Sequence, residues 1–153
     1  MKYLSLTRIE NPSSKLEQRY QSFDQLMSEI TKHYLPDDIS RRVNKTIEKL
    51  NAVEGESRHI IKSVKKAQFR ILKMLEEETN LVAKNHYRNK WMGYGMIMGI
   101  PFGVAFGISI DQLAFLGIGL PIGLAIGIAI GTEKDNKAKA EGKQLNVIGD
   151  MEF

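Results

Sequence analysis

Two uncharged stretches, Trp91 to Ile110 and Leu113 to Gly131, constrain this chain more than any other feature. They hold 20 and 19 residues, and only Asp111 and Gln112 separate them. At about 1.5 Å per residue, each makes a helix about 30 Å long, the thickness of a bilayer's hydrocarbon core. So short a polar break fits the tip of an antiparallel hairpin. The expected fold is an all-α membrane protein. A cytosolic helical bundle or coiled coil over residues 1–90 precedes a two-helix transmembrane hairpin over residues 91–131, and a cytosolic tail spans 132–153. A re-entrant hairpin, or an apolar hairpin buried in a larger soluble assembly, are the alternatives; the span lengths weigh against the second.

The glycines inside these stretches are periodic. Gly95, Gly99, Gly103 and Gly107 recur every fourth residue in the first, and Gly119, Gly123, Gly127 and Gly131 in the second. Glycine lowers helix propensity by about 1 kcal/mol per residue in water. Its repetition in register therefore needs a reason, and close approach of helix backbones supplies one, through dispersion and Cα–H···O contacts. The segment Gly99-Ile-Pro-Phe-Gly-Val-Ala-Phe-Gly-Ile-Ser-Ile110 also aligns with Gly119-Leu-Pro-Ile-Gly-Leu-Ala-Ile-Gly-Ile-Ala-Ile130. Seven of twelve positions are identical, Pro101 and Pro121 among them. Duplication of one helix explains this economically, and convergent composition is the bland alternative. Each proline removes a backbone hydrogen bond and is expected to bend its helix.

A period of four divides each helix surface into rows. In the second helix, Gly117, Pro121, Ala125 and Ala129 form a row two residues out of step with the glycines. Two residues turn about 200°, so the two small rows lie on opposite sides, with bulky rows between them. The first helix repeats the scheme with Pro101, Ala105 and Ser109. One small face closes a hairpin, and the second is left for another molecule. Homo-oligomerisation is the expectation.

Residues Gly95–Gly131 resemble the glycine-zipper transmembrane helical-hairpin proteins, a loose class found in bacterial membranes and envelopes. The resemblance implies tight helix packing and frequent self-assembly, without implying one function. No family is recognised for residues 1–90.

Charge sets the expected orientation. Residues 1–90 carry 18 Lys/Arg and 12 Asp/Glu, residues 91–131 only Asp111, and residues 132–153 four Lys and five acids. Lys84, Arg88 and Lys90 precede the first span, and Lys134, Lys137, Lys139 and Lys143 follow the second. The tip has neither Lys nor Arg, so both ends face the cytoplasm by the positive-inside rule. Tyr87, Arg88, Lys90, Trp91 and Tyr94 are the expected interface anchors. No apolar run of signal-peptide length opens the sequence, so the hairpin itself is expected to direct insertion into the plasma (bacterial inner) membrane.

Residues 1–12 read as an extended arm. Ser14 and Glu17 have the spacing of a capping box. Leu16, Tyr20, Phe23, Leu26, Met27, Ile30 and Tyr34 then form one helical face, predicting a helix over about 14–35 that Pro36 ends. Asp37 and Asp38 suit the positive end of a second helix, about 37–51, faced by Ile39, Val43, Ile47 and Leu50. A third, about 57–90, carries the seam Ile60, Val64, Ala67, Ile71, Met74 and Leu81. No Pro or Gly interrupts it before Trp91, so it is expected to run straight into the membrane segment. The seam's alternating steps suit a coiled coil, but a match under four heptads favours a three-helix bundle. After the second span, helix is expected to continue for two or three turns, with disorder or loose docking beyond Gly142.

Chemical signatures are sparse. Without cysteine there are no disulfides and no thiolate chemistry. His33, His59 and His86 lack metal-ligand spacing, and no phosphate loop, nucleophile elbow or paired-carboxylate motif occurs. No enzyme activity, cofactor or metal is expected. Arg58, Lys62, Lys66, Arg70 and Lys73 form a basic stripe, read either as a solvated face or as a surface for anionic lipid or another acidic partner. Glu76, Glu77 and Glu78 follow at once, which argues against a nucleic-acid track. Two functions fit: a non-catalytic, self-associating membrane module that presents its cytosolic helices to a protein partner, or an oligomeric pore of toxin or defence-effector type gated by those helices. The near absence of polar residues inside the spans ranks the module first.

Overall fold

The computed structural model describes residues 3–109 and 116–148. The expected tip, Asp111 and Gln112, lies outside the described residues. Among them are five helices and two short strands, in the order α1 (Ser14–Ile30), α2 (Asp37–Asn51), α3 (Ser57–Thr79), β1 (Val82–Lys84), α4 (His86–Ser109), α5 (Leu116–Ala140) and β2 (Gln144–Ile148). The chain divides into two compact units, Met1–Ala83 with Leu145–Glu152, and Lys84–Gln144.

The first unit is built on the apolar faces of α1, α2 and α3. Leu16, Tyr20, Phe23, Leu26 and Ile30 of α1 meet Ile39, Val43, Ile47 and Leu50 of α2 and Ile60, Val64, Ala67, Ile71, Met74 and Leu75 of α3 in one core. The seam on α3 thus packs in a three-helix arrangement. The extended arm lies along α2: Leu4 N–H donates to Asn44 Oδ1 at 3.0 Å and Thr7 N–H to Asn51 Oδ1 at 2.8 Å. Arg8 turns to α1, where it pairs with Glu17 and Asp24 and stands over the Tyr20 ring.

Several boundaries depart from the sequence reading. The cap of α1 is Ser13, which accepts from Leu16 N–H, not Ser14. Glu17 therefore does not complete a capping box; it accepts from Arg8 and Gln21 instead. Helix α1 stops at Ile30, short of Leu35, because the Thr31 hydroxyl bonds Ser28 O and the next two N–H groups bond only three residues back.

The larger correction concerns residues 57–90, which are not one helix. α3 ends at Thr79 because Asn80 takes the left-handed conformation (φ 56°). Asn80 N–H reaches back to Glu76 O at 3.2 Å, the closure of the αL cap, and Leu81 N–H bonds Leu75 O at 3.3 Å. A second left-handed residue, Asn85 (φ 61°), precedes α4. Between these two asparagines runs β1, which pairs with β2. Strand β2 also corrects the expectation of disorder or loose docking after Gly142: Leu145 and Val147 are buried in the core of the first unit. Gln25 Nε2 donates to Asn146 O at 3.1 Å, and Asn146 N–H donates to Glu29 Oε2 at 3.3 Å.

The second unit is α4 packed on α5. Both helices are apolar on all sides over most of their length, unlike the one-sided α1–α3. Both are long and apolar enough to cross a membrane. Pro101 and Pro121 lie inside unbroken helix. Helix α5 continues past Gly131 to Ala140 and closes with Gly142 in the left-handed region (φ 68°).

Candidate functional site

The facing surfaces of α4 and α5 are made of glycine. A methyl group built at Gly95, Gly99, Gly119, Gly123, Gly127 or Gly131 would come within 3.0 Å of the opposite backbone. Gly119 meets Gly99 and Gly103, Gly123 meets Gly95 and Gly99, Gly127 meets Trp91 and Met92, and Gly131 meets Tyr87 and Arg88. As the α5 position rises by four, its α4 partner falls by four, so the helices run antiparallel. Each rung climbs about 6 Å. The obstructing atoms are backbone, so no side-chain rotation can make room. Gly103 and Gly107 are likewise buried.

The outward rows are different. Pro101, Ala105 and Ser109 on α4 are exposed, as are Gly117, Pro121, Ala125 and Ala129 on α5. A methyl group built at Gly93 or Gly117 would meet nothing within 4 Å. Ala105 and Ala125 thus stand apart from the contact that the glycines make. Between the rows, bulky side chains project outward: Ile97 and Ile108 are 68% exposed and Phe102 is 69% exposed. On one flank, Tyr94, Met98, Phe102 and Phe106 face Ile118, Ile122, Ile126 and Ile130 across an open apolar groove of about 630 Å³ floored by the glycines.

The end of the hairpin where α4 begins and α5 leaves is polar and aromatic. Asp135 is buried, and its two carboxylate oxygens accept the N–H groups of Tyr87 at 3.0 Å and Arg88 at 2.9 Å. These are among the first N–H groups of α4, which have no partner in their own helix. A carboxylate also suits the positive end of the helix dipole. Gln144 Nε2 bonds Asp135 O at 3.3 Å. The Lys134 ammonium lies 5.4 Å from the centre of the Trp91 ring, and Trp91 meets Tyr94 edge to face at 6.0 Å. Tyr87, Arg88, Lys90, Trp91 and Tyr94 thus share one end with Lys134. Sequence reasoning missed Asp135, because a cap supplied from about 50 residues away has no local spacing.

The stripe Arg58, Lys62, Lys66, Arg70 and Lys73 lies exposed on α3. The structure brings only its last two members against cations of another helix. Arg70 and Lys73 line a cleft of about 290 Å³ together with Arg42, Lys45 and Lys49 of α2.

Comparison with protein-family models, with curated proteins and with solved structures finds no match to this chain.

Proposed function

We propose that this protein is a non-catalytic integral membrane module that self-associates through its helical hairpin and presents its amino-terminal helices to a partner. The observation that carries the reading is the division of small residues into two opposite rows on each helix. The glycine row is consumed where α4 meets α5. The row of Ala105 and Ser109, and that of Gly117, Ala125 and Ala129, remain open.

In lipid, apolar side chains give little drive for helix association. Small residues that admit a neighbouring backbone give much of it. The resemblance to glycine-zipper hairpins supports the same reading. The outward isoleucines and phenylalanines support lipid as the surroundings, since contiguous apolar surface is rarely left facing water. Lys and Arg at the paired ends of the hairpin favour a cytoplasmic position for both, in a plasma membrane.

The outward rows lie on opposite edges of the hairpin. Each molecule therefore offers two valences. If unlike edges meet, association is head to tail and builds rings or chains; if one edge alone pairs with its like, it stops at a dimer. A ring of hairpins joined through these rows would hold Ser109, the polar side chain of the outward rows among the described residues, in its contacts and not in its lining. The Ser109 hydroxyl already donates to Ala105 O at 2.8 Å. An aqueous pore needs more polar rings than this.

The test is reconstitution into liposomes with flux measured alongside mass in mild detergent. The proposal expects oligomers at micromolar concentration and no dye or ion flux. A strictly monomeric protein overturns self-association. Flux that Gly103→Leu and Gly123→Leu abolish would make the protein a pore instead.

A further inference from the structure

We infer that the cleft between α2 and α3 binds a compact anion carrying at least two phosphate groups. Its walls hold five cations, Arg42, Lys45 and Lys49 from α2 with Arg70 and Lys73 from α3, against one carboxylate, Glu77. Arg42 pairs with Glu78, and Lys73 approaches Glu77 at 3.8 Å. Lys45, Lys49 and Arg70 have no carboxylate within ion-pair distance among the described residues. A merely solvated helix face spreads its cations into water. Here two helices fold their cations around one concavity, where like charges repel, and among the described residues only Glu77 and Glu78 offset two of the five. An anion seated there removes that repulsion and stabilises the folded unit by mass action.

The donors indicate the ligand's chemistry. Guanidinium forks and ammonium groups suit phosphate oxygens. The Thr46 hydroxyl is committed to Arg42 O at 2.9 Å, so charged donors make the recognition. Arg42 to Lys49 and Arg70 to Glu77 each span about 10 Å of helix, more than one phosphate covers. Glu77 lines one end of the cleft, and Glu76 and Glu78 flank it in sequence. That acidic run blocks a long polyanion such as nucleic acid. A bisphosphorylated lipid headgroup and a soluble polyphosphate share the required chemistry.

The experiment titrates tripolyphosphate into the full chain held in phosphatidylcholine nanodiscs, by calorimetry. Binding is expected, weakened roughly tenfold or more by Lys45→Gln with Arg70→Gln, which removes two charge-assisted contacts. Arg58→Gln with Lys62→Gln removes the same charge elsewhere on the surface and is expected to leave affinity within about twofold. All four side chains are exposed, so folding is preserved. Adding cardiolipin to the nanodiscs separates the sources. Weaker tripolyphosphate binding assigns the cleft to a headgroup, and unchanged binding assigns it to a soluble ligand. Absence of tripolyphosphate binding, or equal weakening by both pairs of substitutions, overturns the proposal. So does a single-stranded oligonucleotide that binds more tightly through the same residues.

Discussion

Asp135 and Arg88 lie 47 positions apart, and the Asp135 carboxylate accepts the Arg88 backbone N–H at 2.9 Å. The same carboxylate takes the Tyr87 N–H, so one side chain on α5 caps the start of α4. Asn85, in front of this helix, is left-handed and not in the extended conformation usual for a capping residue. The cap comes from the returning helix, which links the beginning of the hairpin to its end.

Asp135→Ala is expected to destabilise that end by about 0.5–2 kcal/mol, the range for loss of a capping side chain. Asp135→Asn keeps one acceptor oxygen and should fall between. Amide exchange at Tyr87 and Arg88 reports it directly. Equal protection in Asp135→Ala and in the parent would show that the cap contributes nothing.

The two kinds of glycine should respond oppositely. Gly123→Ala places a methyl group against the backbone of Gly95 and Gly99 and is expected to cost about 1–3 kcal/mol as overpacking. Gly117→Ala enters open space and should leave the hairpin intact, helped by alanine's better helix propensity, about 1 kcal/mol in water. Thermal unfolding in detergent separates them. A similar melting temperature for both variants would contradict the facing register.

Glu29 makes the attachment of β2 sensitive to acid. Its carboxyl is held below the ordinary carboxylate range, first by Lys32 and also by the Asn146 N–H. A depressed value means that the stabilisation is complete above the unfolded value, about 4.3, and fades as pH falls through the native one. The Asn146 amide resonance should therefore move as pH drops through this region. Glu29→Gln should remove that dependence, and identical profiles for the two proteins would refute the linkage.

Asn80 sets where α3 stops. Its left-handed backbone costs a β-branched or bulky residue about 1–2 kcal/mol, whereas glycine adopts it freely. Asn80→Val should lower the denaturation midpoint of the full chain, and Asn80→Gly should match or exceed the parent. A stabilised Asn80→Val, with helix running on through Leu81, would show that the break is not set by this residue.

These positions also mark what could be read from the sequence. Leu16 to Ile30, Ile39 to Leu50 and Ile60 to Met74 announced three amphipathic helices by spacing alone, because each buries one stripe. The apolar length of α4 and α5 was equally legible. The break at Asn80 was not, since glycine and proline are the usual signals of interruption and asparagine signals it more weakly. Strand β2 was hidden because its partner β1 is 3 residues long and lies about 60 positions away, so neither strand has a local mark. The basic stripe on α3 was visible, but its grouping with Arg42, Lys45 and Lys49 depends on how α2 packs.

The most direct test of the account is cysteine cross-linking in a bilayer. The chain has no cysteine, so a single substitution gives one thiol per molecule. Disulfides form only where Cα atoms approach within about 7 Å, which reports close helix contact. Ala125→Cys on the outward row, alone where like edges meet or mixed with Ala105→Cys where unlike edges meet, should give cross-linked dimers under mild oxidation, and Ile126→Cys, on the groove flank of the same helix, should give few. Absence of cross-linking at Ala125 both alone and mixed with Ala105→Cys, or equal cross-linking at Ala125 and Ile126, would contradict association through the outward small faces.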